Sequence, residues 1–209
     1  MGTVTDRADL LAGLSRRIRD ERVLEAIAAV PRDQFVPRAL RAYAWEDTSL
    51  PIAEGQTISQ PYIVARMCEL LALRGDETVL DVGTGSGYHA AVLAQLVARV
   101  VSIERHVRLS REAALALAAV GVGNVTLIVG DGSLGCPAGA PYDAINVAAA
   151  SDRGVPDPLA AQLADGGRLV IPAGGAQRLQ LVRRHGDRLE HERHDPVRFV
   201  PLVSEKRVS

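Results

Sequence analysis

The stretch Val79-Leu80-Asp81-Val82-Gly83-Thr84-Gly85-Ser86-Gly87-Tyr88 reads as a buried strand that runs straight into a glycine-rich turn and then a helix. In open α/β sheets, ligands lie at the carboxyl ends of the strands, where glycine lets the backbone approach them closely. A nucleotide-like group is the expected occupant. The spacing is Gly-x-Gly-x-Gly, and Tyr88 stands where a dinucleotide fingerprint needs its third glycine, which disfavours a nicotinamide oxidoreductase. Glu104 closes the next strand about twenty residues later, the separation at which a carboxylate accepts hydrogen bonds from ribose hydroxyls. Asp131-Gly132 ends the strand after that, so an adenine ring lying between these two strand ends would meet it.

A second segment, Gly55-Gln56-Thr57-Ile58-Ser59-Gln60-Pro61, precedes a helix that starts at Pro61. If the segment is extended, Thr57 and Ser59 point one way while Ile58 packs on the other side. Both hydroxyls then face one cleft. Ser59 is also well placed as a plain N-cap, and a helix N-terminus favours an anion. Other chemistries fit less well. Ser86 lies in Gly-Thr-Gly-Ser-Gly, but a nucleophile elbow needs its serine where Gly85 stands, which disfavours a hydrolase. The histidines form no HExxH, and Cys68 and Cys136 form no CxxC, so neither a metal site nor a disulfide framework is expected.

These residues need a scaffold to hold them together. The chain has 209 residues, 47% of them apolar and 23% charged, enough to bury one sizeable core. Its net charge of −1, with no dense basic stripe, argues against nucleic acid as the main partner. No apolar run approaches a membrane span, so a cytoplasmic protein is expected. Leu10, Leu11, Leu14 and Ile18, then Val23, Leu24, Ile27 and Val30, have helical spacing. From Pro61 onward, helix and strand alternate: a helix ending near Arg74-Gly75, then strands at Thr78 to Val82, Arg99 to Glu104, Asn124 to Val129, Tyr142 to Val147 and Gly167 to Ile171. Helices are expected between them, at Ser86 to Ala98, around Leu109 to Val120 and at Pro158 to Leu163. Such an order implies an α/β, doubly wound, mostly parallel sheet. Arg178 to Arg184, Arg188 to His194 and Val197 to Val203 are expected as three further strands forming an antiparallel edge.

The residues resemble the protein-L-isoaspartate O-methyltransferases of the bacterial type, over about Arg22 to Val203. The resemblance is carried by Ala29-Val30-Pro31-Arg32-Asp33-Gln34-Phe35-Val36-Pro37, by Gly55 to Tyr62, by Leu80 to Tyr88, by Gly130-Asp131-Gly132, by Ala140 to Ile145 and by Phe199-Val200-Pro201-Leu202. The glycine turn is shared by many methyltransferases, whereas the Gln-Thr-Ile-Ser-Gln-Pro segment is far more specific. The resemblance implies the S-adenosylmethionine-dependent methyltransferase variant of the doubly wound sheet, with a helical cap and substrate-side loop over residues 1–60 and the cofactor sheet over 61–209. It implies Gly83, Thr84, Gly85, Ser86, Glu104, Asp131, Gly132 and Gln177 as cofactor contacts, Ser59 and Thr57 at the methyl-transfer centre, and Ile58, Phe199 and Val200 on the substrate side.

The implied reaction moves a methyl group from S-adenosylmethionine to the free α-carboxylate of an isoaspartyl residue in a damaged protein or peptide, leaving S-adenosylhomocysteine and starting repair through a succinimide. No metal, nucleic acid or membrane is implied, and a monomer is expected. Two departures stand out. Ala53 occupies a usual glycine position and Ala148 a usual threonine position. They leave room for two other readings: a carboxyl methyltransferase dedicated to one partner peptide or natural product, or a cofactor-binding protein without transfer activity.

Overall fold

The computed structural model describes residues 6–204. The N-terminal part is helical. α1 (Arg7–Ser15) opens with a reciprocal capping box between Asp6 and Asp9, and α2 (Glu21–Ala29) is capped by Asp20. The two prolines that follow divide the chain into single 3-10 turns at Arg32–Phe35 and Arg38–Tyr43. Next comes a small hairpin, β1 (Leu50–Pro51) antiparallel to β2 (Thr57–Ile58), which leads directly into α3 (Pro61–Leu71). α3 ends three residues earlier than the sequence implies, because Ala72 adopts the left-handed conformation at φ 46°.

The sheet then alternates as its spacing predicts: β3 (Thr78–Val82), α4 (Tyr88–Ala94), β4 (Arg99–Glu104), α5 (Val107–Ala119), β5 (Val125–Val129) and β6 (Tyr142–Val147). α6 (Asp157–Ala161), β7 (Leu163–Ala173), β8 (Arg178–His185) and β9 (Arg188–Pro196) complete it. The seven strands lie in the order β5-β4-β3-β6-β7-β8-β9. They are parallel from β5 to β7 and antiparallel from there outward. The chain winds outward from β3 to β5 and returns to β6, so the sheet reverses direction beside β3, where such folds take their ligands.

Side chains alternate along each central strand. Val79, Val100, Ala144 and Val170 join one core with α1, α2, α3 and α4, whereas Leu80, Val101, Ile145 and Leu169 join a second core under Leu159 of α6. The helical cap thus shares its core with one face of the sheet.

One expected strand is absent: Val197 to Val203 forms no ladder. Its regular pairing is limited to a single parallel bridge between Pro201 and Ala150. Proline has no amide hydrogen to donate, and Pro196 and Pro201 frame the stretch, so it runs as an extended strap across the strand ends.

The lower edge of the sheet is fastened by Arg168. Its guanidinium donates to the carbonyls of Leu71 and Ala72 and reaches Glu77 Oε1 at 2.6 Å. Burial works against the Glu77 charge, but Arg168 and the amides of Arg74 and Gly75 outweigh it and hold the carboxyl below its ordinary range. Glu77→Gln should therefore lower the unfolding free energy by about 1 to 3 kcal/mol at neutral pH. A carboxyl that titrates lower in the folded chain than its unfolded value near about 4.3 stabilises above that pH and loses the effect as pH falls through the folded value. Urea midpoints of the two proteins should converge toward roughly pH 3. A gap independent of pH would contradict this role.

Candidate active site

The glycine turn leaves β3 with its backbone in conformations that suit glycine, at φ 94° for Gly83, 53° for Gly85 and 88° for Gly87. Gly87 has a packing reason as well, since a β-carbon there would sit 3.1 Å from the Ala113 methyl of α5. The turn is also tied from below. Gly83 N donates to the Ile103 carbonyl at 2.9 Å and Ala148 N to the Val82 carbonyl at 2.8 Å, extending the ladder past the strands.

Under the turn lies a buried polar cluster. Asp81, with no exposure, accepts from Ser102 of β4 and from Asn146 of β6, both at 2.7 Å. Ser102 spends its proton on Asp81, so Thr84 donates to Ser102 at 2.6 Å. The second amide hydrogen of Asn146 reaches His89 Nδ1 at 3.3 Å, and His89 Nε2 faces Cys68 Sγ at 3.6 Å. Burial raises the Asp81 carboxyl and the Cys68 thiol and lowers the His89 imidazole to about 3.

Above the turn the surface opens into a cleft of about 360 Å³, within the range of small-molecule sites. Gly83, Gly85, Glu104 and Gly132 line it, as the sequence implies, together with apolar walls from Val82, Ile103 and Leu202. The Glu104 carboxylate is buried at the end of β4 and held by two amides, Gly85 N at 2.9 Å on Oε2 and His106 N at 2.9 Å on Oε1. Each oxygen keeps lone-pair capacity toward the cleft. Asp131 stands just outside. Its Oδ1 accepts from the Ser133 amide at 2.9 Å and the Ser133 hydroxyl at 2.7 Å, capping the turn that presents Gly132.

A groove of about 380 Å³ lies on the far side of β2, lined by Thr57, Ser59, Gln60, Ile63 and residues 196–199. A third, small gap of about 30 Å³, also lined by Ser86, shares Thr57, Gly83, Gly85 and Ala148 with the cleft and Thr57 and Ser59 with the groove. Thr57 borders all three spaces, and Ser59 borders the groove and the gap. Ile58 turns into the core at 3% exposure, so the hydroxyl alternation is as expected, although Ile58 also touches the gap. The Ser59 carbonyl accepts from Arg32 at 3.0 Å; the same buried guanidinium also serves the carbonyls of Ala44 and Thr48. Burial outweighs the neighbouring Tyr88 and Asp47 and lowers Arg32 to about 10, still fully charged near neutrality.

Several expected contacts lie elsewhere. The Thr84 side chain points down to Ser102, and Ser86 Oγ accepts from the Tyr88 amide at 3.3 Å, capping α4 away from the main cleft. Gln177 does not reach the cleft, because both ends of its side-chain amide are bound to the backbone of Phe199. Val200 lines the cleft with residues 201–203, while Phe199 alone of the two lines the groove. Pro196 and Pro201 break the strand pairing that would have put Phe199 and Val200 on a common ladder. Arg105, His106 and Gln56 also border the cleft without having been expected there. Their signal was only positional, next to Glu104 and Thr57.

Comparison with known proteins bears on the same features. The family model described as Protein-L-isoaspartate(D-aspartate) O-methyltransferase (PCMT) matches residues 7–207. A protein-L-isoaspartate O-methyltransferase of Halorhodospira halophila is 57% identical over 189 residues, 89% of this chain and 86% of that one. One from Roseiflexus sp. (strain RS-1) is 54% identical over 197 residues, 93% of this chain and 89% of that one. Among solved structures, one described as protein-L-isoaspartate O-methyltransferase superposes with a TM-score of 0.84 at 29% identity, covering 95% of this chain and 66% of that one. A Plasmodium falciparum chain described as a candidate member, in complex with S-adenosyl-L-homocysteine, shares the fold at a TM-score of 0.83 and 24% identity, covering 95% and 98%.

Glu104→Gln would turn an amide N–H group toward one of the two backbone donors that now hold the carboxylate. Affinity for S-adenosylhomocysteine, read by calorimetry, should fall about tenfold or more, the scale of a lost hydrogen bond to a charged group. Unchanged affinity would remove Glu104 from the site.

Proposed function

The chain belongs to the protein-L-isoaspartate O-methyltransferase family, and we propose that its cleft, gap and groove are the donor site, the transfer point and the acceptor site of that activity. It is an S-adenosylmethionine-dependent methyltransferase acting on L-isoaspartyl residues. The observation that carries the assignment of residues is the position of Thr57, which borders all three spaces, with Ser59 beside it on the acceptor side. We read the whole chain as one catalytic unit, with the cap and β1-β2 hairpin on the substrate side.

The cleft fits the donor. Its rim is the glycine backbone at Gly83 and Gly85, in conformations a side chain would strain, its floor carries the Glu104 carboxylate, and its walls are apolar. Gly132 borders the cleft as well, and a β-carbon there would lie 2.6 Å from Val82 Cγ1, so that strand end tolerates no side chain. When bound, S-adenosylmethionine supplies an electrophilic sulfonium methyl. Glu104 would hold the ribose hydroxyls, and Val82, Ile103 and Leu202 would flank the base.

An isoaspartyl α-carboxylate has a pKa near about 3.5 and is ionised at neutral pH, so the chain need not remove a proton. Its residues agree. The titratable groups beside the gap are Tyr88 and His89; burial raises the Tyr88 phenol and lowers the His89 imidazole to about 3, so neither exchanges a proton near neutrality. What remains for Thr57 and Ser59 is to orient an oxygen toward the gap, whose small size leaves little space for solvent. Alignment and desolvation of this kind can supply a large share of a barrier.

The acceptors are proposed to be isoaspartyl-bearing proteins and peptides laid along residues 196–199, with Ala148 offering a methyl where a hydroxyl is usual. A cytoplasmic monomer is part of the same reading; the free thiols of Cys68 and Cys136 suit a reducing compartment. No helix among the described residues is long and apolar enough to cross a membrane.

The decisive experiment is transfer of labelled methyl to two peptides that differ only at the isoaspartyl linkage. Label should enter the isoaspartyl peptide alone; equal labelling of both, or of neither, overturns the acceptor assignment. Ser59→Ala should lower turnover roughly five- to fiftyfold, the scale of one or two positioning hydrogen bonds, while S-adenosylhomocysteine affinity stays within about twofold. A lost binding isotherm would contradict that division between donor and acceptor sides.

A further inference from the structure

We propose that Gln177 is a positioning residue for the transfer, holding the strap at the one point where it passes from the acceptor groove to the donor cleft. The inference rests on the reading of those two spaces given above. Residues 196–199 line the groove and residues 200–203 line the cleft, so the crossing falls between Phe199 and Val200. Gln177 grips the chain there. Its Oε1 accepts from the Phe199 amide at 2.6 Å and its Nε2 donates to the Phe199 carbonyl at 3.3 Å. A single side chain thus supplies both hydrogen bonds that a neighbouring strand would give.

The rest of the strap is tied on either side of this grip. Val197 N donates to the Gln177 carbonyl at 2.9 Å; beyond the crossing, Ala150 N donates to the Val200 carbonyl at 2.8 Å, and Leu202 N donates to the Ala150 carbonyl at 2.7 Å. The prolines at 196 and 201 have no amide hydrogen to give, so a regular ladder cannot take over if the grip is lost. The conformation of Gln177 supports the same conclusion. It sits at φ 36° in a turn closed by its amide on the Gly174 carbonyl at 2.9 Å. That region of backbone space suits glycine and penalises a side chain. Glycine would serve the turn better, and only the side-chain grip on Phe199 gives glutamine an advantage.

Because Phe199 and Val200 are consecutive, a shift at the crossing moves the groove wall and the cleft wall together. Loss of the grip should weaken peptide binding most and cofactor binding less, without removing any group that touches the reacting atoms. Gln177→Gly removes the grip while relieving the backbone, and Gln177→Glu keeps an acceptor for the Phe199 amide but loses the donor. The full-length proteins should be compared by peptide KM and kcat, by calorimetry with S-adenosylhomocysteine, by thermal midpoint and by hydrogen exchange at the Phe199 amide.

For Gln177→Gly we expect a peptide KM raised roughly tenfold, a smaller change in kcat and in cofactor affinity, faster Phe199 exchange and a midpoint that does not fall. Gln177→Glu should be intermediate in KM. An unchanged KM, or unchanged protection of the Phe199 amide in Gln177→Gly, overturns the proposal. So does a fall in midpoint with KM and kcat altered equally and no ranking between the two variants. If the unaltered protein transfers no methyl to an isoaspartyl peptide, the reading of the site fails, and Phe199 exchange together with cofactor affinity still decides whether Gln177 holds the strap.

Discussion

A buried carboxylate joins the central strands at the level where the glycine turn departs. Asp81 of β3 receives Ser102 from β4 and Asn146 from β6, and through Ser102 it also fixes the hydroxyl of Thr84 inside the turn itself. Removing either donor would leave part of a fully buried charge unpaired, a larger penalty than the bond's own contribution. The cluster therefore holds these strand ends and the turn in one arrangement. The amides of Gly85 and His106 can then meet Glu104, and Gly83 can lie against the Ala148 backbone without a side chain between them.

The groove side depends on a different device. Arg32 is buried in the cap with no carboxylate bonded to it, and its guanidinium spreads over the carbonyls of Ala44, Thr48 and Ser59 and faces the Tyr88 ring at 5.6 Å. A planar fork can serve diverging carbonyls in this way, whereas a lysine ammonium would concentrate its charge at one point. The cap is thereby fixed to Ser59, two residues before α3. Asp47 strengthens the same joint by accepting from the Tyr62 amide and the Gln60 side chain. Cleft and groove have separate supports, and they share Thr57 and the strap.

Much of this was legible in the sequence. The parallel strands carry near-continuous apolar runs, and the glycine turn announces both its geometry and its ligand side, so β3 to β7 and the residues Gly83, Gly85, Glu104 and Gly132 follow from local rules. Thr57 and Ser59 were legible because alternation along an extended segment is simple geometry. Directions set by tertiary partners were not. Thr84 and Ser86 belong to the turn but face Ser102 and the α4 amide, and nothing in Gly-Thr-Gly-Ser-Gly says which way a hydroxyl will find its partner. Val197 to Val203 has the composition of a strand, yet its prolines deny it a ladder, and a residue far away in sequence supplies the missing bonds. The buried role of Arg32 could not be read from Pro31-Arg32-Asp33, because only the folded cap brings three carbonyls together around it.

The position of Thr57 also limits how this protein can change. Thr57 is exposed and shared by all three spaces, so one substitution there reshapes each of them at once. Ile63 and Arg198 line the groove alone, so change in the groove is channelled to its outer bank, where a new side chain alters no second compartment.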